Sequence, residues 1–268
     1  MNPAVLGGFD PAVPNAARMY DYFLGGKDNL PADRAAAEQV LRFVPEIPIG
    51  IRENRRFLAR AVRHLAELGI RQFLDIGAGL PTQANVHQLV ERYAPGARTV
   101  YVDNDPQVLA HARALLQDSP DVVVADGDLR RPEEILADPA VRAHLDFDRP
   151  VAVLLLAILH FIPDEDDPAG ILARIRAGLA PGSHIAISHV AVDQRPQAAP
   201  GVEGVYRDAS ARFVARMSDE IAPYFAGLRL LDPGLVNLHQ WRPDEDEAVH
   251  PVLRTVGNYF ICGIGRLD

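Results

Sequence analysis

The chain has 268 residues, 48% hydrophobic and 24% charged, the balance of a soluble globular protein with room for one large core. Its formal net charge of -9 argues against a basic surface that wraps nucleic acid. The single cysteine, Cys262, excludes an intrachain disulfide and a thiolate zinc cluster, and the longest apolar run, Val151 to Leu159, is too short to span a bilayer.

The N-terminus, "MNPAVLGGFDPAV", lacks the basic start and apolar core of a signal peptide, so a cytoplasmic protein is expected. Next comes "ARMYDYFLGGKDN", where Tyr20, Tyr22 and Phe23 lead into Gly25, Gly26, Lys27, Asp28 and Asn29. It is not a phosphate-binding P-loop. Asp21 stands where the first glycine belongs, Asp28 where the hydroxyl belongs, and no apolar strand leads in. Taken locally, it is a surface turn with its glycines at positive φ.

"PADRAAAEQVLRFV" predicts a helix. Pro31 suits a first turn, the Ala-rich sequence sustains it, and Pro45 and Pro48 are expected to close it. A second helix is expected from Glu53 to Leu68, with Leu58, Ala61, Val62 and Leu65 on one face. Arg52, Arg56, Arg60 and Arg63 fall on the other, as a solvated stripe. Asn54 lies on the inward face, where a polar group needs a partner.

From Gln72 strands and helices alternate: "QFLDIG", "RTVYVDND", "DVVVADGD", "PVAVLLLAILHF" and "SHIAISHV" read as strands. Between them "TQANVHQLVERY", "PQVLAHARALL", "PEEILADPAVRAHL" and "PAGILARIRAGL" read as helices. This rhythm implies parallel crossovers in a sheet covered on both faces. After Asp193 it breaks. "QRPQAAPGVEG" reads as a loop and "ASARFVARMSDEIAPYFAGL" as an amphipathic helix. "LRLLDPGLVNL" and "NYFICGIG" suit an antiparallel pair. The expected fold class is α/β: a Rossmann-like doubly wound sheet, mostly parallel with an antiparallel C-terminal strand, plus a helical N-terminal extension.

The chemistry concentrates in "FLDIGAGLPT". A strand, then Gly77, Ala78 and Gly79, then a helix start brings backbone close to a ligand. Asp103 ends the second strand at the spacing of an acid that holds ribose hydroxyls. The third glycine of a dinucleotide site is missing, since Thr82 stands there after Pro81. Asp75, just before the glycines, would repel phosphate and suit a cation such as the amino group of a methionine moiety. "DGDL" places Asp126 and Asp128 at the third strand's end, where a carboxylate can meet an adenine amine.

These motifs resemble the class I S-adenosylmethionine-dependent methyltransferases from about Gln72 to Val190. Together with "MYDYFLGGKDN", "VYVDNDPQVLAHARALL" and "LLLAILHFIPDEDDP", the chain resembles one bacterial methyltransferase family long labelled a domain of unknown function. The resemblance implies S-adenosylmethionine as cofactor, with Gly77, Ala78 and Gly79 beneath its methionine part and Asp75 near the amine. Asp103, with Asn104 beside it, would take the ribose; Asp128 and the Leu129 backbone would take the adenine. Ala157 and Ile158 would line the pocket near the sulfonium. On this reading residues 1-70 form a helical N-terminal cap or lid, and residues 71-268 the methyltransferase domain, with a lid-like insertion at about 194-226. Tyr20, Tyr22, Gly25, Gly26, Lys27 and Asn29 are then expected to fold over the cofactor.

A sulfonium methyl is already activated, so alignment in a dry pocket supplies much of the rate. Where the acceptor needs a base, His160 is the first candidate and His189 the second. Tyr206, Phe213 and Trp241 are possible aromatic walls. "PDEDDP" reads as a helix cap, with Asp167 before Pro168, and not as a metal site. The leading expectation is methyl transfer to a small molecule, with neither nucleic acid nor membrane as partner. Two alternatives are a protein that senses the cofactor or its demethylated product without turnover, and a nicotinamide-dependent oxidoreductase, against which Asp75 and Thr82 argue.

Overall fold

Five parallel strands carry the alternating part of the chain: β1 (Gln72–Ile76), β2 (Arg98–Asp103), β3 (Val122–Asp126), β4 (Ala152–Leu156) and β5 (His184–Val190). They lie in the order β3-β2-β1-β4-β5. The chain reverses its direction of winding between β1 and β4, so a crevice opens at the carboxyl ends of these two strands. Two short strands, β6 (Arg229–Leu230) and β7 (Val236–Asn237), and the longer β8 (Phe260–Arg266) complete the sheet. β8 runs antiparallel to β5 and pairs β6 and β7 along its other edge. The computed structural model describes residues 10–81, 85–116, 119–244, 248–255 and 259–268. Thr82 lies outside them.

Side-chain alternation gives the sheet two apolar faces. Leu74, Val100, Val153 and Ile185 point into one core, Phe73, Ala152, Leu154 and Ala186 into the other. Three N-terminal helices cover the second face: α1 (Ala16–Leu24), α2 (Pro31–Phe43) and α3 (Ile47–Glu67). The crossover helices are α4 (Val86–Tyr93), α5 (Pro106–Leu116), α6 (Pro132–Ala137), α7 (Pro139–His144) and α8 (Pro168–Ala177). Past β5 come α9 (Ala199–Tyr206), α10 (Ser218–Ile221) and α11 (Pro251–Thr255). Among the described residues no helix is long and apolar enough to cross a membrane.

Several local expectations are corrected. Pro48 does not close α2; it sits in the first turn of α3, which starts at Ile47 rather than Glu53. Arg60 is not part of a solvated stripe. It is buried, pairs with Glu53 at 3.0 Å, and donates to the carbonyls of Leu238 and Trp241 at 2.6 and 3.0 Å, bonds that offset its desolvation. The helix expected over residues 132–145 is two helices, because the Asp138 carboxylate caps a new start at Ala140 and Val141. β4 stops at Leu156, and Ala157 turns to a φ of 57°.

The last correction concerns the segment after β5. The amphipathic stretch at 209–228 is mostly irregular, with α10 and a 3-10 turn at Ala222–Phe225. The helix lies earlier, as α9, which starts inside the sequence read as a loop and runs two residues past it. Pro200 is accommodated in its first turn, and Gly201 lets the Phe43 ring of α2 approach where a side chain would collide with it.

Candidate functional site

A cavity of about 750 Å³ occupies the crevice at the carboxyl ends of the parallel strands. The glycine turn after β1 forms its floor. Gly77 has φ 78°, its N–H donates to the Val102 carbonyl at 2.8 Å, and a Cβ there would stand 2.6 Å from Ile158 Cγ1. Ala78 and Gly79 continue the floor and Ile158 faces it from the turn after β4. Gly77→Ala is therefore expected to lower cofactor affinity at least about tenfold and to destabilise the fold by roughly 1–2 kcal/mol, as read by calorimetry and thermal melting.

Asp103 and Asn104 line the cavity at the end of β2. The Asp103 carboxylate is fixed in place: it accepts from the Gly79 N–H at 2.9 Å and the Asp105 N–H at 3.0 Å. Burial pushes its pKa up, and these bonds work against that. Asp128 and Leu129 line the cavity after β3, while Asp126 is exposed outside it. Arg130 grips Asp128 with one guanidinium edge: Nε donates to both carboxylate oxygens at 2.9 and 3.0 Å, and Nη2 to Oδ2 at 2.5 Å. Burial alone would raise the Asp128 pKa; the hydrogen bonds of Arg130 outweigh it and hold the acid below the usual carboxylate range.

Asp75 is the anomaly. It is enclosed in the strand centre, opposite Tyr101 and Leu154 in the flanking strands, with its side chain at the cavity wall. Burial pushes its pKa up to about 7; Arg55 pulls it down and Asp103 adds to the rise. Arg55 lines the same cavity from α3. The available signal for Arg55 was its spacing, four residues after Ile51 and three before Leu58, which puts it on their face of the helix; all three line the cavity.

Asn54 finds its partners in a buried chain. Its Nδ2 donates to the Tyr20 hydroxyl at 3.1 Å, and its Oδ1 accepts from Ser188 Oγ at 2.6 Å. Ser188 Oγ in turn accepts from the Ala157 N–H at 3.0 Å. The chain runs from α1, through α3 and β5, to the turn where Ala157 and Ile158 meet the cavity.

Of the opening stretch, Tyr20 alone among the six predicted residues lines the cavity. Tyr22, Gly25, Gly26, Lys27 and Asn29 do not, because the segment is a helix and its end. Asn15 caps α1, accepting from the Arg18 N–H at 3.1 Å, and Gly25 closes it at φ 82°. The Gly25 and Gly26 N–H groups bond to the Tyr22 and Asp21 carbonyls, each at 2.9 Å. Asn29 donates to Asp21 Oδ2 at 2.8 Å, Tyr22 to Glu38 at 3.3 Å, and Lys27 is exposed. Asparagine before a short run and glycine after it was the available signal for this helix. The start of α1 instead reaches the site: Asn15 bonds to Asp105, and Arg18 to Gln107, across the turn after β2.

The two histidines part company. His160 is buried and lines the cavity, with no hydrogen-bond partner for Nδ1 among the described residues. Burial, then His189 and Arg216, hold its pKa well below the ordinary value, so the ring is neutral. His189 is off the cavity lining. Its Nδ1 donates to the Val190 carbonyl at 2.6 Å, Arg216 stands 3.5 Å from Nε2, and burial pushes its pKa down to about 3. Trp241 is likewise core, packed edge-on against Phe57. Tyr206 and Phe213 do line the cavity. Asp167 caps α8, accepting from the Gly170 N–H at 2.9 Å.

A family model described as S-adenosyl methyltransferase matches residues 7–268. The chain is similar to a DUF574 family protein from Streptomyces avermitilis, with 40% identity over 97% of this chain and 99% of that one and a TM-score of 0.91. It is similar to a candidate methyltransferase from Thermobifida fusca, with 39% identity over the whole of both chains and a TM-score of 0.90. Human N-acetylserotonin methyltransferase shares the fold at 15% identity, with a TM-score of 0.50 over 95% of this chain and 63% of that one. No curated protein sequence matches the chain.

Proposed function

Because the chain belongs to the S-adenosyl methyltransferase family, we propose that its cavity holds S-adenosylmethionine and a small-molecule acceptor, and that it transfers the methyl group between them. The observation that carries this reading is an enclosed acid in the cavity wall, with a half-buried arginine lining the same cavity. Asp75 is an enclosed acid short of a counter-charge, and Arg55 lies in the same wall. An amino acid end with one ammonium and one carboxylate suits that pair. A dinucleotide phosphate does not suit Asp75.

The remaining residues fit the rest of the cofactor. Asp103, already oriented by two backbone N–H groups, would receive the ribose hydroxyls. Asp128, with the Leu129 backbone, would hold the adenine, once Arg130 yields part of its grip. Tyr20, Ala157 and Ile158 would flank the sulfonium, and α1 would cover the site through its links to Asp105 and Gln107. The bound cofactor supplies a methyl carried on a cationic sulfur, which leaves as a neutral thioether. The chain aligns the acceptor and excludes water. His160, neutral and at the wall, is the base available to an acceptor that must lose a proton.

The test is direct. Methyl-labelled S-adenosylmethionine and a cell extract are incubated with the protein, and the label is followed by mass spectrometry. Labelled small-molecule product, at more than one turnover per protein, is the expected result. Calorimetry showing tight NAD binding and none of S-adenosylmethionine would overturn the reading. Cofactor binding without any turnover would point to a sensor.

A further inference from the structure

We propose that the cavity end beyond Ile158 receives an uncharged, flat, ring-bearing acceptor, held by stacking against a continuous aromatic wall; this rests on the methyl-transfer reading above. The turn after β4 that brings Ala157 and Ile158 to the cavity carries on directly into His160 and Phe161. Three further rings join them there, from three separate segments: Tyr206 at the end of α9, Phe213 in the following loop, and Phe260 at the start of β8. All five line the cavity.

Their rings form one array. His160 and Phe161 have centroids 4.5 Å apart, Phe161 and Tyr206 5.5 Å, Tyr206 and Phe213 5.7 Å, and His160 and Phe213 5.5 Å. Phe260 lies 6.2 Å from His160. The interplanar angles of these pairs run from 35° to 76°, tilted and edge-on packing of the kind aromatic partners prefer. Such a surface favours a flat π-system over a saturated skeleton of the same size.

The arginines at this end already have acids: Arg195 pairs with Glu46 at 3.3 Å and Arg212 with Glu165 at 3.1 Å. Among the described residues lining this end, an anionic acceptor would be desolvated against the rings without an unpaired arginine to receive it. The polar groups offered by the wall are neutral. His160 is held uncharged by burial. The Tyr206 hydroxyl makes no hydrogen bond among the described residues, and burial keeps it protonated. A hydroxyl or ring nitrogen on the acceptor could bond to it.

Three probes separate the components of the claim: 2-naphthol, decahydro-2-naphthol, which keeps the skeleton and loses flatness, and 2-naphthoate, which adds a charge. Each is titrated calorimetrically into the protein with and without S-adenosylhomocysteine. The expected order places 2-naphthol at least about tenfold tighter than either other probe, the equivalent of two stacking contacts. Phe213→Leu, which keeps apolar bulk, is expected to weaken 2-naphthol several-fold and to leave S-adenosylhomocysteine affinity unchanged. Equal binding of decahydro-2-naphthol or 2-naphthoate overturns the inference, as does failure of 2-naphthol to bind while S-adenosylhomocysteine does. Binding of 2-naphthol without any affinity for S-adenosylhomocysteine would keep the aromatic receptor and sink the methyl-transfer reading.

Discussion

At pH 8, Asp75→Asn is expected to weaken S-adenosylmethionine binding at least about 100-fold, the loss of a desolvated charge partner, and yet to raise the melting temperature of the ligand-free protein. The two effects have one cause. Burial moves the Asp75 pKa from 3.8 to about 7, so the folded state resists its ionisation. The sign follows from proton linkage. Between these two values the folded protein binds more protons than the unfolded chain, so stability falls as pH rises through that window. At about 1.4 kcal/mol per pKa unit, the ionised carboxylate costs the empty fold roughly 4 kcal/mol above pH 7. An asparagine carries no such charge, and at roughly 2 °C per kcal/mol for a chain of this length the gain is at least about 5 °C. At pH 5 less than half of it should remain.

The ligand reverses the balance. An ammonium beside Asp75 needs the carboxylate ionised, so below pH 7 binding must expel a proton. Affinity for S-adenosylmethionine is expected to rise about tenfold per pH unit up to about 7 and then level off. Calorimetry across this range in buffers of different ionisation heat measures the proton released. Asp75→Asn should abolish both the slope and the proton. A flat affinity profile, or a variant with neither a higher melting temperature nor weaker binding, would show that Asp75 does not meet a cation.

Strands and glycine turns were legible because their cause is local. β1 to β3 read as apolar runs with acids at or near their ends; Gly77 follows β1 directly, Asp103 ends β2 and Asp128 lies two residues past β3. Where packing decides, the sequence misled. Phe213 and Phe225 mark an amphipathic period at 209–228, but most of that stretch is irregular, with its aromatics turned toward the cavity and the core. α9 carries Pro200, Gly201 and Gly204, poor helix formers inside a helix; its partner Phe43 lies 158 residues away in sequence. The turn at Ala157 was hidden inside "VAVLLLAILHF", since nothing in an apolar run announces a left-handed residue. Tyr20 lines the cavity and Gly25 does not, because Gly25 closes helix α1.

That left-handed alanine leads to the relay behind it. Ala157 holds φ 57°, a conformation costing roughly 1–2 kcal/mol for a residue with a Cβ. Its N–H is shared between the Ser188 hydroxyl and the Ser188 carbonyl, both at 3.0 Å. Asn54 fixes the Ser188 hydroxyl from one side and the Tyr20 hydroxyl from the other. Asn54→Ala would leave two buried hydroxyls without this partner, at roughly 1–3 kcal/mol each, and free the wall beside the sulfonium to shift. We expect a stability loss of about 3 kcal/mol and a fall in kcat of at least about tenfold, with the cofactor Kd changing less. Ser188→Ala should resemble it in kcat at a smaller stability cost, because the Ser188 carbonyl still holds Ala157. In the double variant the losses should fall short of their sum by about 1 kcal/mol, the mark of residues in one network. Ala157→Gly should recover stability in the Asn54→Ala background without recovering kcat, since glycine relaxes the strain and leaves the wall mobile. Additive losses in the cycle would mean that α1, α3 and β5 reach the cavity independently, and that Tyr20 is a wall and nothing more.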